Sequence, residues 1–146
     1  MIQKILLPID DSEHSEKAIL YATDLAKLTR ATVIVMHAFH IPVFRRRGTA
    51  AVEDFKISLQ EEAKELVAEV AAQLQNEGLI ASALVVEGAA SEAILQAVET
   101  DQPDLIVIGS RGGGGLPGLH LGSVAERVVR RAAVPVLVVK IKSKGY

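Results

Sequence analysis

The residues best suited to chemistry lie between Gly109 and Ser123, in the stretch GSRGGGGLPGLHLGS. Seven glycines fall within it: Gly109, Gly112 to Gly115, Gly118 and Gly122. A strand-like run, Asp104 to Ile108, precedes the stretch, and a helix-like run, Val124 to Ala132, follows it. Glycines leave main-chain N–H groups unhindered, and a helix start adds the positive end of its dipole, so the combination suits phosphate. In a purely structural loop, so many glycines would only add conformational entropy to be lost on folding. The ligand expected here is a nucleotide.

Rival motifs in the same stretch fail on context. Gly113-x-Gly115-x-x-Gly118 fits the dinucleotide fingerprint by letter. That fingerprint belongs to the first strand–helix turn, with an acidic residue about 20 positions on. Here the first turn has no glycine, and Val136 to Lys140 stands where the acid is needed. A Walker A loop requires Gly-Lys-Ser/Thr, and Gly122-Ser123 lacks the lysine. Ser110 is not in a Gly-x-Ser-x-Gly elbow, because position 108 is isoleucine. The chain has no cysteine, which removes disulfides, thiolate nucleophiles and thiolate metal sites together. No nucleophile–base pair, carboxylate dyad or all-protein metal cage is evident from the sequence.

The other titratable residues read as ordinary. His37 and His40 straddle the end of a strand without carboxylates at ligand spacing, so they read as structural or solvated. His120, inside the glycine stretch, could brush a phosphate. Arg45 to Arg47 read as a solvated loop, with an electrostatic gate over the ligand or a contact for an anionic partner as the functional alternative. Arg127, Arg130 and Arg131 suit the exposed face and carboxyl end of the last helix, where cations complement the dipole.

Five strand-like segments alternate with helices and must position these residues. Lys4 to Ile9 is short and apolar. Asp11 or Ser12 then caps a helix whose stripe is Ala18, Ile19, Ala22, Leu25, Ala26 and Leu28. Thr32 to Ala38 is a β-branched second strand. Leu59, Ala63, Leu66, Val70 and Leu74 mark an amphipathic helix over about Val52 to Asn76, stopped by Gly78. Ile80 to Val86 is the third strand. Ser91 is the expected cap of a helix over Glu92 to Thr100, and Pro103 breaks it. Leu105 to Ile108, a helix from Ser123 to about Ala132, and Val136 to Lys140 complete the series. Strands without alternation imply a parallel sheet buried on both faces and joined by right-handed crossovers. Ligands of such sheets bind at the carboxyl ends of the strands. The crevice there would gather Asp10 and the Gly109 stretch, so Asp10 is read as a ligand residue rather than a cap.

The bulk numbers agree. The 146 residues suit one domain, 1–146, and 49% are hydrophobic, as a doubly covered sheet requires. A net charge of −2 pulls toward neither nucleic acid nor a membrane surface. No apolar run approaches the ~20 residues of a membrane span, and the first residues carry no secretory pattern. A soluble, cytoplasmic protein is expected.

The spacing Gly109-x2-Gly112-x9-Gly122-Ser123 resembles the nucleotide motif of the ATP-binding universal stress proteins. The opening KILLPIDDSEHSEKAI, the VIVMHA strand and the closing GSVAERVVRRAAVPVLVVK are similar to that family too. The resemblance implies a Rossmann-like, single-domain α/β fold with an open five-stranded parallel sheet, order 3-2-1-4-5, and helices on both faces. It implies that the Asp10 carboxylate meets ribose hydroxyls and the Ala38 backbone meets the adenine edge. Gly109 and Gly112 would let the main chain approach the phosphates. Gly122, Ser123 and Val124 would supply N–H groups, with the Ser123 hydroxyl, to the phosphate tail. At Gly113 the chain departs from the family, which commonly has a polar or basic residue there. Four successive glycines raise the ordering entropy to be overcome on binding.

The resemblance also implies ATP, AMP or ADP as cofactor, with Mg²⁺ or Mn²⁺ held through the phosphates. A bare apolar edge strand would invite aggregation, and the family pairs it with a second copy. A homodimer through Val136 to Ile141 is expected, with an unidentified regulatory protein as a further partner. The leading reading is a nucleotide-binding signalling module. The alternatives are a slow ATPase, with Asp10 or Ser123 positioning metal or water, and a nucleotide-free dimeric scaffold. Gly122→Val is expected to abolish binding while leaving the fold intact.

Overall fold

The computed structural model describes residues 1–41, 50–111 and 121–141. Within these, the chain alternates β1 (Lys4–Pro8), α1 (Glu13–Thr29), β2 (Thr32–Phe39), α2 (Ala50–Asn76), β3 (Ala81–Glu87), α3 (Ala90–Asp101), β4 (Leu105–Gly109), α4 (Ser123–Arg131) and β5 (Val136–Val139). The strands form one five-stranded sheet in the order β3-β2-β1-β4-β5. Every pairing is parallel, with Leu6 opposite both Ile34 and Ile106. Fold class and strand order are those expected from the sequence.

Successive side chains of a strand point to opposite faces, so a sheet covered on both sides needs apolar residues at every position. The strand β1 shows this directly. Ile5 and Leu7 join Val33, Val35 and Val107 beneath α1 and α2, with Ala18, Ala22, Val67 and Leu74. Leu6, between them, faces the other way and packs with Ile106, Ile94, Ala97 and Val128 under α3 and α4. Small residues on α1 (Ala18, Ala22 and Ala26, all fully buried) bring that helix close to the sheet.

Element ends follow local chemistry. Ser12 caps α1, accepting from the Ser15 N–H at 3.4 Å. Gly78, at φ +86°, ends α2 as expected, and the Leu79 N–H returns to the Leu74 carbonyl at 3.1 Å. The expected cap at Ser91 is corrected. Gly88 turns the chain at φ +142°, Ala89 is extended, and α3 already begins at Ala90, so Ser91 lies buried inside the first turn. Ala89 takes the cap position without a side-chain bond. The strand β5 ends at Val139, one residue before the expected Lys140.

At the amino end of the sheet the main chain is tied by one carboxylate. Asp104 Oδ2 accepts from the N–H groups of Gln3 at 2.8 Å and Lys4 at 3.0 Å. Lys4 Nζ donates to the Asp101 carbonyl at 2.8 Å. The two N–H donors, Gln3 first, hold the Asp104 carboxyl below the ordinary aspartate range.

Candidate functional site

At the opposite end, the carboxyl ends of β1, β2 and β4 and the start of α4 enclose a cavity of about 420 Å³. That volume falls within the range of small-molecule sites. Its apolar walls are Ile9, Met36, Ala38, Ile94 and Ile108, and its polar groups come from Asp10, Ser15, His37, Arg111 and Ser123. The cavity brings together Asp10, Ala38, Gly109, Gly122, Ser123 and Val124, which are 114 residues apart at the extremes of the chain. Gly112, the remaining expected site residue, lies outside the described residues, as do Gly113 to Gly115, Gly118, His120 and Arg45 to Arg47.

Asp10 holds its place through two serines. Its Oδ1 accepts from the Ser12 N–H at 2.8 Å and from the Ser15 hydroxyl at 2.9 Å. Its own N–H donates to Ser15 Oγ at 2.8 Å. The choice between capping and lining the crevice therefore dissolves: Asp10 braces the turn into α1 and also lines the cavity, while Ser12 is the cap. The sequence reading missed Ser15. The signal available was a hydroxyl five positions after Asp10, on the first turn of the helix that Asp10 precedes.

His37 has the structural role expected of it. Its Nδ1 lies 2.6 Å from the Ile9 carbonyl, which can only accept, so that nitrogen carries the proton. With the Ile9 N–H donating to the Met36 carbonyl at 2.8 Å, this bond fixes the end of β1 against β2.

The two described glycines of the site are required for different reasons. A Cβ at Gly109 would stand 2.8 Å from His14 Cβ and 2.9 Å from the His14 main chain. Gly109 is therefore needed where α1 crosses the end of β4, whatever the cavity holds. Gly122 has an ordinary extended backbone, φ −73° and ψ 163°. A Cβ there would meet Arg111 Cα at 3.2 Å and the Ser110 carbonyl at 3.3 Å, and its N–H donates to that carbonyl at 2.6 Å. Valine at 122 would thus press on the Ser110–Arg111 backbone. The expectation that such a variant leaves the fold untouched is withdrawn.

Gly122 contributes no side chain to cap α4. The first amides of a helix have no intrahelical acceptor, and here Ser123 and Val124, the first two residues, line the cavity. This end of the site can therefore donate main-chain hydrogen bonds to an anion.

Two further contacts had no local signal. Ser110 Oγ lies 3.3 Å from His14 Nδ1, across 96 residues of sequence. Ser110 is only 2% exposed and is not among the residues lining the cavity, so the pair ties α1 to the end of β4 rather than presenting a nucleophile. Arg111 also lines the cavity, a residue to which sequence reasoning assigned no role. Among the described residues, no group of three or more histidine, aspartate or glutamate side chains could hold a metal. No helix among them is long and apolar enough to cross a membrane.

Comparison with known proteins places this geometry in context. The model of the universal stress protein family matches residues 1–140. A universal stress protein of Methanocaldococcus jannaschii is 33% identical over 158 residues, covering 98% of this chain and 98% of the relative. The solved structure of that protein superposes with a TM-score of 0.89 over 99% of both chains. A universal stress protein of Thermus aquaticus is 37% identical over 142 residues, covering 96% of this chain and all of the relative. A universal stress protein crystallised in complex with cAMP shares the fold at 24% identity and a TM-score of 0.69, over 95% of this chain and 97% of that one.

Proposed function

Because the chain belongs to the universal stress protein family, we propose that the cavity at the carboxyl ends of β1 and β4 is an adenine-nucleotide site, and that the protein is a nucleotide-dependent regulatory module of the stress response. One observation carries this reading. A carboxylate braced by Ser15, an apolar slot beside Ala38, and the uncapped start of α4 converge on a single cavity of about 420 Å³.

In that arrangement the base lies among Met36, Ala38 and Ile94 and is met by the Ala38 main chain. Asp10 accepts from the ribose hydroxyls. Ser123 and Val124 donate to the phosphates, and Gly122, whose N–H is already given to the Ser110 carbonyl, lets them approach instead of supplying the expected third donor. Hydrogen bonds to charged groups are worth roughly 1.5–3 kcal/mol each. A few of them reach about −8 kcal/mol, the free energy of micromolar binding.

The donor set fits Mg²⁺ or Mn²⁺ only through the phosphates, since Asp10 is the one carboxylate among the described lining residues. A bound divalent ion would supply charge neutralisation on the phosphate tail. The β5 edge, three of whose four residues are only half-buried, supports a homodimer through Val136 to Ile141. A bound-state conformation read by a regulatory partner would be the output, and a cytoplasmic setting goes with this reading.

Denaturing the purified protein, chromatographing the released nucleotide and titrating ATP with Mg²⁺ by calorimetry tests the assignment. Near-stoichiometric adenine nucleotide or micromolar binding is expected. An empty protein that refuses ATP would put a dimeric scaffold in first place, and sustained turnover would favour a slow ATPase. Sedimentation over a concentration series checks the dimer, which a monomer at every concentration would exclude.

A further inference from the structure

Helix α1 buries a stripe of small residues, Ser15, Ala18, Ala22 and Ala26. At 18, 22 and 26 alanine is enough to bring the helix close to the sheet. Position 15 carries a hydroxyl as well, although the residue is only 5% exposed. A buried hydroxyl is unfavourable unless it is hydrogen-bonded. The start of α1 does not need this one, because Ser12 is the cap: its Oγ takes the Ser15 N–H at 3.4 Å and its carbonyl the Glu16 N–H at 3.2 Å. The Ser15 hydroxyl turns to Asp10 instead. It accepts from the Asp10 N–H at 2.8 Å and donates to Asp10 Oδ1 at 2.9 Å. These two bonds close a ring through the backbone and side chain of one residue. The Ser12 N–H holds the same Oδ1 at 2.8 Å, so turning the carboxylate would break two bonds at once. An ionised carboxylate has about four acceptor sites, and the two serines do not exhaust it. Asp10 and Ser15 both line the cavity of about 420 Å³.

We propose that Ser15 is a positioning residue that sets the Asp10 carboxylate to read the sugar, and that it thereby gives the site its preference for a nucleotide with both ribose hydroxyls. This rests on the nucleotide reading above and deepens it, because it assigns sugar selectivity to a residue that acts through Asp10. Hydrogen bonds weaken steeply when misaligned, and a side chain that must be ordered on binding costs affinity. A carboxylate locked beforehand by its neighbours avoids both losses. The apolar slot beside Ala38 and the first amides of α4 meet other parts of the ligand. The effect of Ser15 is therefore confined to the sugar, whereas a serine that merely braced the fold would affect every ligand alike.

Calorimetric titration of the full chain with Mg²⁺ and either ATP or 2′,3′-dideoxy-ATP tests the proposal. The proteins are the wild type, Ser15→Ala, Ser15→Cys, Asp10→Ala and the double variant Asp10→Ala/Ser15→Ala. The wild type is expected to bind ATP about tenfold more tightly than the dideoxy nucleotide. Ser15→Ala should weaken ATP about three- to fivefold and leave the dideoxy nucleotide unchanged. Ser15→Cys, whose thiol is a weak donor of similar shape, should fall between. In the Asp10→Ala background, removing the Ser15 hydroxyl should cost no further affinity, since the carboxylate it holds is gone. Equal loss on both nucleotides in Ser15→Ala, or no loss on either, overturns the proposal and leaves Ser15 a brace of the fold. A full additional loss in the double variant overturns it too, because Ser15 would then act independently of Asp10. Should thermal melting show that Ser15→Ala is unfolded, the ratio of the two affinities in Ser15→Cys decides the question. A wild type that binds both nucleotides equally removes the sugar reading alone, whereas one that binds neither removes the nucleotide site and this proposal with it.

Discussion

Asp104 and Asp10 sit at opposite ends of the adjacent strands β1 and β4, and each accepts a main-chain N–H, yet they serve different ends. Asp104 gives one oxygen to two amides of the neighbouring strand, 100 and 101 positions away. It stitches the amino end of the sheet. Asp10 takes its contacts from Ser12 and Ser15, two and five positions away, and stands on the wall of the large cavity. The difference shows what separates a staple from a presented ligand group. A staple reaches across the fold to bind the strands. A presented carboxylate is braced by the turn that carries it.

The comparison breaks most visibly at Asp10. Asp10→Ala should cost roughly 1.5–3 kcal/mol of nucleotide affinity, about 10- to 150-fold. Its melting temperature should fall modestly, because Ser15 and the turn into α1 lose their acceptor. If calorimetry finds affinity intact while the protein melts early, Asp10 is a brace only.

Gly109→Ala probes the same end of the sheet without touching ligand chemistry. Forcing a methyl to 2.8 Å from His14 should destabilise the fold by about 1–3 kcal/mol, read by urea unfolding. Unchanged stability would mean that α1 can move off β4. Ser110→Ala is next, at about 0.5–1.5 kcal/mol for the hydrogen bond to His14, with nucleotide affinity preserved.

Asp104→Asn sharpens the other arm and has the smallest effect, because the group is only partly buried and solvent screens its charge. Its folded pKa lies below the unfolded value, so its contribution is whole above about pH 3.9 and is lost as pH falls through the folded value. Wild type and variant should differ in stability at neutral pH and converge in strong acid. A gap that persists at pH 2 would show that charge is not the cause. Nucleotide binding should be the same in both proteins.

How much of this could be read from the sequence follows the range of the interactions. Consecutive apolar residues such as Ile5-Leu6-Leu7 and Ile106-Val107-Ile108 declare a strand buried on both faces, and the helical stripes declare their own faces. Sheet order follows from the resemblance. Asp10 was legible because its place, one residue beyond an apolar strand, is local. The His14–Ser110 bond, the Asp104 staple and the seating of Arg111 against Gly122 join residues that no periodicity relates. Ser91 misled because serine before an acidic residue looks like a cap, while the positive φ of Gly88 had already turned the chain one step earlier. Gly109 lines the cavity, yet the closest demand on it comes from α1.

Ser110 has one more consequence. Its N–H donates to the Val139 carbonyl at 2.9 Å, and its carbonyl accepts from the Gly122 N–H at 2.6 Å. A single peptide neighbourhood thus acts as a shared pin between the last rung of the sheet edge and the first turn of α4. The residue that opens α4 and the last residue of the edge strand are thus joined through one serine, by two hydrogen bonds that lie outside the apolar core.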